Sequence, residues 1–291
     1  MPRKTIMIAT LLALQFVEPA YAEAPRPVLI AKPKLAVAPM KRIEVPADLA
    51  AKVGHQVWLN ETGGERDAIT SWNSTEDFAS LGIGHFIWFP EGLDSPFVES
   101  FPTMMEFLRR RGAQPPDWLD VSPVPPSPWR SKRDFEAAFN SAKMQGLRAF
   151  LLDTKGLQAQ FLALRMQEAL PRILASIADA GERSHVRTQF DRVVEASRDL
   201  YPLIDYINFK GEGISAAEAF PNARTGEPEG WGLKQVLLHM QGASIEPEDV
   251  LSEFADAAAF ALKRRIANNP RDRVWERGWL SRVDTYRRPL D

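Results

Sequence analysis

Cysteine is absent from this chain of 291 residues and histidine is scarce, with four copies. The first absence excludes a disulfide framework, so the folded state has to be held by an apolar core. The second leaves His55, His85, His185 and His239 at no ligand-type spacing, and no HExxH or EF-hand pattern occurs, so no metal and no other cofactor is expected. A GxSxG elbow is also missing, which gives no support for a Ser-His-Asp hydrolase. The formal net charge is only −2, too small to attract nucleic acid in general, and that partner class is set aside. Beyond the first residues, no stretch is apolar enough to span a bilayer.

What the chain does have at its start reads as an address. Arg3-Lys4, an apolar run over residues 5–16 and the small-residue site Ala20-Tyr21-Ala22 follow the plan of a cleavable signal peptide, residues 1–22. The expected location is therefore periplasmic or secreted, with no membrane span after signal cleavage. Residues 23–45 mix Pro25, Pro27, Pro33 and Pro39 with Ala, Val and Lys, and suit an extended linker. Residues 46–291 are long enough to bury a core as one large domain.

The stretch 56–90, QVWLNETGGERDAITSWNSTEDFASLGIGHFIWFP, is built most like a site. Leu49, Val53, Val57 and Trp58 mark an amphipathic helix that Gly63-Gly64 should stop, placing Glu61 in its last turn. A carboxylate there faces the negative end of the helix dipole, and desolvation by Trp58 would further favour the protonated acid. Short β-like runs follow at 68–72 and 78–89, with Asn73-Ser74 as turn residues. In Ser80-Leu-Gly82-Ile-Gly84-His85 the glycines leave backbone open to close approach.

A Glu at a helix end, followed some two dozen residues later by SLGIGH, resembles the phage-type lysozymes, where a Glu precedes a strand of the form T-x-G-x-G-H. The likeness implies a lysozyme-like fold in which Glu61 is the general acid, Ser80 the hydroxyl residue on the strand, and Gly82, Gly84 and His85 the cleft floor. The family's intervening Asp has no counterpart at its offset: Asp67, Glu76 and Asp77 lie elsewhere in the segment. That leaves hydrolysis and a lytic transglycosylase mechanism both open.

A second stretch, 206–241, runs an apolar helix into Lys210-Gly-Glu212-Gly and continues with GWGLKQV at 230–236. It is similar to the goose-type lysozymes and lytic transglycosylases, in which a Glu precedes G-[FW]-G-L-M-Q-V. The likeness makes Glu212 a second candidate carboxylate and Gln235 a substrate-facing amide. Lys234 stands where the family has Met, and residues 236–239 read equally well as a helix start. A structural role for Glu212, paired with Lys210 or Arg224, is the alternative.

Of eight tryptophans, Trp72 and Trp231 have polar or glycine flanks and are candidate sugar platforms; core packing is the other role open to them. His85 reads as a brace or cleft wall rather than a base. Arginines dominate residues 264–288, interleaved with Trp275, Trp279 and Tyr286, and suit either ion pairs within the fold or carboxylates of a ligand.

Elsewhere, Thr103-Met-Met-Glu106 predicts a capping box opening a helix to residue 111, and six prolines in 114–130 predict a long irregular excursion, either ordered by Trp118 and Trp129 or a flexible lid. Helical periodicity covers 131–144, 156–177 with Pro171 as a break or kink, 182–200 and 246–267. The expected fold is α+β and predominantly helical: a lysozyme-like domain with a small β-hairpin and extra helices. The expected activity is cleavage of a peptidoglycan strand or related glycan, by hydrolysis or lytic transglycosylation, with Glu61 as acid. The alternative is a non-catalytic glycan-binding or cell-wall assembly protein on the same fold.

Overall fold

The structure is a computed structural model that describes residues 45–95 and 97–290. The expected signal peptide (1–22) and nearly all of the expected linker (23–45) lie outside the described residues. Ten α-helices and two small antiparallel sheets make up the described chain, a predominantly helical α+β fold.

Helix α1 (Ala47–Thr62) ends where the glycines require: Gly63 adopts φ 65° and its N–H donates to the Leu59 carbonyl at 2.8 Å. A residue with a Cβ would be strained there, so the chain turns away at this point. The first sheet has three strands, β1 (Thr70–Ser71), β2 (Ala79–Leu81) and β3 (Phe86–Trp88), in the order β1-β2-β3. Ser80 faces Ile87 across one ladder and Ser71 across the other. The run expected as one strand from 78 to 89 is thus a hairpin. Gly82, at φ 71°, starts its turn, and the turn is pinned by Ile83 N–H donating to Gln158 Oε1 at 2.9 Å.

Helix α2 (Phe101–Arg110) begins before the expected box, because Pro102 sits in its first turn and leaves Thr103 inside the helix. Ser100 precedes it, and its Oγ accepts from Ile87 N–H rather than capping the helix. The proline-rich excursion is ordered by its aromatics: Trp88 stacks at 6.2 Å on Trp118, meets Trp129 edge-on at 6.0 Å and donates from Nε1 to the Pro125 carbonyl.

The helix expected over 131–144 is instead two, α3 (Lys132–Ala137) and α4 (Ala142–Asp153). Ser131 and Ser141 each accept an N–H from the following turn and start a separate helix. The long central helix α5 (Lys155–Ala175) runs through Pro171 without ending. It packs closely on α1: a Cβ on Gly54 would fall 2.5 Å from the Lys155 carbonyl oxygen, so only glycine allows this approach. Helices α6 (Ala180–Ser197), α7 (Tyr201–Lys210), α8 (Leu233–His239), α9 (Pro247–Asn268) and α10 (Glu276–Asp284) complete the fold. Between α7 and α8 lies a second hairpin, β4 (Ala219–Pro221) and β5 (Pro228–Gly230), that the sequence did not announce. One apolar cluster joins the helices to the first sheet, from Val53 and Val57 through Leu81, Phe86 and Leu162 to Ile204 and Phe254. No described helix is long and apolar enough to cross a membrane.

Candidate functional site

Helix α1, the turn after β2, helix α7 and helix α10 each bring one polar side chain to the same place. Glu61 is nearly buried there. Its Oε1 accepts from Arg282 Nη2 at 2.6 Å and from Asn208 Nδ2 at 3.2 Å, while Oε2 lies 3.6 Å from His85 Nδ1. The expectation that Trp58 desolvates this carboxylate is corrected: hydrogen-bond donors surround it, and Trp58 instead carries the Lys155 ammonium 4.8 Å from its ring centre. His85 is half exposed and holds φ 47°, an uncommon backbone for a residue with a side chain, which aims its ring from the turn towards Glu61.

Arg282 is fixed by a second acid. Its Nε and Nη2 donate to Asp205 Oδ2 and Oδ1, both at 2.8 Å, and Asp205 is fully buried. Asp205 also accepts from Tyr286 Oη at 2.6 Å and Asn60 Nδ2 at 3.2 Å. Burial acts to lower the arginine's pKa, but the charge and hydrogen bonds of Asp205, with the charge of Glu61, outweigh it and raise the pKa well above the usual value. Every acceptor of Asp205 is occupied, as a buried carboxylate requires. Neither Asp205 nor Arg282 was picked from the sequence. The available signal was a lone acid inside the apolar helix YPLIDYINF, where only pairing would tolerate it.

Next to this network Lys210 is buried between the rings of Phe209 and Trp279, its Nζ 3.8 and 3.4 Å from their centres. Burial, with repulsion from Arg265 and Arg282, pushes its pKa down to about 6.

The site opens into a cleft of about 160 Å3 lined by Gly84, His85, Ile87, Leu162, Arg165 and Asn208 among others. A second hollow of about 330 Å3 adjoins it, sharing Val98, Ser100 and Arg165. Glu76, in the loop between β1 and β2, is half-buried, and desolvation raises its pKa. His85 and a hydrogen bond from Asn73 act the other way. It lies within electrostatic reach of His85. Asp67, the other acid of that segment, is paired with Arg148 at 3.4 Å.

The remaining candidates are placed differently. Ser80 is buried in the middle of β2. Trp72 is buried, its Nε1 donating to the Glu76 carbonyl at 2.7 Å and its ring against Phe135, so it offers no open face to a sugar. Trp231 is buried against Phe220 with the Arg265 guanidinium 4.0 Å over its ring, which corrects its reading as a platform too. Gln235 turns inward, and its Nε2 donates to the Gly213 carbonyl at 3.0 Å. It therefore braces a loop rather than facing a substrate. The expected strand at 230–236 gives way after β5 to helix α8, whose first N–H groups, on Leu233 and Lys234, donate to Gly211 and Glu212 carbonyls.

Glu212 is held by Arg172 through both carboxylate oxygens, with Nε at 3.1 Å from each. This pairing replaces the expected partners Lys210 and Arg224, and it ties up the acid that would otherwise supply a second carboxylate. The loop around it is organised by Glu218, which sequence reading passed over. The Glu218 carboxylate accepts the backbone N–H groups of Glu212, Gly213, Ile214 and Ser215 at 2.9 to 3.0 Å. Four of the eight arginines of 264–288 are paired with acids of the fold: Arg264 with Glu229, Arg265 with Asp272, Arg287 with Asp256 and Asp284, and Arg282 as above. Among the described residues no group of three or more His, Asp or Glu side chains could hold a metal ion. Comparison with models of known protein families, with curated proteins and with solved structures finds no match.

Proposed function

We propose that this chain is an exported enzyme that cleaves the glycan strand of peptidoglycan, with Glu61 as general acid. The observation that carries the reading is the setting of Glu61: a nearly buried carboxylate with one oxygen fixed by Arg282 and Asn208 and the other turned to His85, where Asn208 and His85 themselves line a cleft. Oε1 is committed to two donors, so Oε2 is the oxygen left to serve the glycosidic oxygen. A fixed donor of this kind has the short reach that proton transfer needs. As the bond breaks, Glu61 becomes anionic, and the Arg282 guanidinium is already in place to receive that charge without rearrangement.

Glu76 is the second carboxylate in this reading. It is the other acid within electrostatic reach of His85, and its part would be to take a proton from an attacking water. The lysozyme-like resemblance supports the substrate class, and the apolar leader supports export to where the substrate lies. Glu212, chelated by Arg172, has no part in the proton transfers.

Digestion of purified murein followed by mass analysis of the released fragments tests the reading. Reducing ends that disappear with Glu76→Gln indicate hydrolysis through Glu76, whereas 1,6-anhydro ends that survive the same substitution indicate lytic transglycosylation by Glu61 alone. No fragments from wild type, together with retained binding to murein, would leave a glycan-binding protein.

A further inference from the structure

Among the described residues Arg165, which lines both hollows of the cleft, has no hydrogen-bonded or ion-paired acceptor, unlike Arg172 further along the same helix and Arg282 at Glu61. Among the described residues Arg282, Arg172, Arg265 and Arg287 each hold a carboxylate within hydrogen-bond distance. Among the described residues Arg165 finds neither a hydrogen bond nor an ion pair, although it lies on α5 where the two hollows of the cleft meet. Two acids are near enough to feel its charge, Glu212 and Glu168. Glu212 is already gripped at both oxygens by Arg172. Glu168, three residues along the same helix, lies on the far hollow and makes no ion pair with it. The residue is exposed overall, yet protein around its head desolvates it enough to lower its pKa. Leaving a guanidinium partly desolvated without a partner is unfavourable, and a ligand anion would relieve that cost.

Among the described residues lining the hollow next to Glu61, Arg165 is the one that is permanently charged. Around it stand Asn208, Ser100 and His85, which are neutral or titratable, and apolar Leu162 and Ile87. A planar fork of N–H donors matches a carboxylate in shape as well as in charge.

We infer that Arg165 is a specificity residue that binds a carboxylate carried by the substrate next to the bond presented to Glu61, so that the cleft selects acidic over neutral glycans. The inference rests on the proposed glycan substrate and adds the charge it must bear. In murein such a carboxylate has two sources, the lactyl group of a sugar stripped of peptide, or the free carboxylates of an attached stem peptide. Arg165 takes no part in proton transfer. Its loss is therefore expected to weaken binding of charged substrate.

The test is calorimetric titration of Glu61→Gln protein, with and without Arg165→Met, against three probes: peptide-free murein glycan oligomers, peptide-bearing murein fragments, and chitin oligomers of equal length. Thermal melting of each variant checks folding, and Arg165→Lys keeps the charge without the fork. The expected result is a loss of about 10- to 100-fold in affinity for one or both carboxylate-bearing probes in Arg165→Met, with no change for chitin and a partial loss in Arg165→Lys. A loss confined to peptide-free oligomers assigns the lactyl carboxylate, and a loss confined to peptide-bearing fragments assigns the stem. Equal affinities for all probes in both proteins, or an equal loss on chitin, would overturn the inference while leaving cleavage by Glu61 intact. Binding of no probe by either protein would overturn it together with the glycan reading.

Discussion

Glu61 and Arg282, 221 positions apart in the chain, meet through a hydrogen bond of 2.6 Å. The guanidinium does not come to Glu61 from a flexible surface position; it is locked from behind by Asp205, Tyr286 and Asn60, so the acid's orientation is set by a buried network rather than by its own helix alone. In the proposed reaction, a fixed partner of this kind would keep the acid within the small error that proton transfer tolerates.

Removing the centre of that network should be costly. Arg282→Met leaves Asp205 fully buried without its counter-charge and should destabilise the protein by about 3–5 kcal/mol. The double variant Arg282→Met with Asp205→Asn should lose less than the sum of the single losses, by at least about 1 kcal/mol. Urea unfolding of all four proteins checks this, and strictly additive losses would show that the two side chains act independently.

Lys210 gives the fold a pH dependence of known sign. Its folded pKa is lowered from 10.5 to about 6, so between those values the unfolded chain binds more protons than the folded one. Stability contributed at this site therefore rises with pH over that window. Lys210→Met should be more stable than wild type by a few kcal/mol at pH 6 and below, with the ring faces of Phe209 and Trp279 offsetting part of the charge cost in wild type. The advantage should shrink steadily as pH rises towards 10. Denaturation curves at a series of pH values check it, and a difference independent of pH would mean that the lysine is not buried as a charge.

Two glycines at similar backbone angles separate conformational strain from crowding. Gly82 (φ 71°) and Gly92 (φ 79°) both occupy the left-handed region, but a Cβ at Gly82 would lie 2.4 Å from Gln158 Oε1, whereas none of the surroundings of Gly92 comes within 4 Å. Gly92→Ala should cost about 1 kcal/mol, the backbone cost alone. Gly82→Ala should cost at least about 1 kcal/mol more, because it also pushes aside the side chain that anchors the turn carrying His85. Melting temperatures that fall equally in the two variants would assign the whole effect to the backbone.

Glu218 holds four consecutive N–H groups. Glu218→Ala should destabilise the protein by about 1–3 kcal/mol and raise hydrogen exchange at residues 212–215 selectively. Exchange that rises uniformly across α7 and α8 instead would indicate a global effect.

Much of the frame was readable from the chain. The end of α1 followed from Gly63, the proline-rich excursion from its composition, and the helical character of α5, α6 and α9 from periodicity. Boundaries failed where a single polar residue decided them, as with Ser141, whose cap splits one expected helix into two. The second hairpin escaped because β5 is Pro-Glu-Gly, a sequence with little strand preference that pairs only through its turn and neighbours. The site was half legible. Glu61 and His85 lie 24 positions apart in a recognisable pattern, but Arg282, Asp205 and Asn208 reach them through tertiary packing that local spacing does not encode. The misread tryptophans show the same limit: polar neighbours in sequence did not keep Trp72 or Trp231 out of the interior.

The most direct measurement is the initial rate at which purified, folded protein clears a suspension of murein, wild type beside Glu61→Gln, with thermal melting to show that both are folded. If Glu61 protonates the leaving oxygen, the substitution should slow clearing by about 10^2-fold or more, since the amide keeps the shape and cannot give up a proton in the same way. Equal rates in the two proteins would contradict the account at its centre.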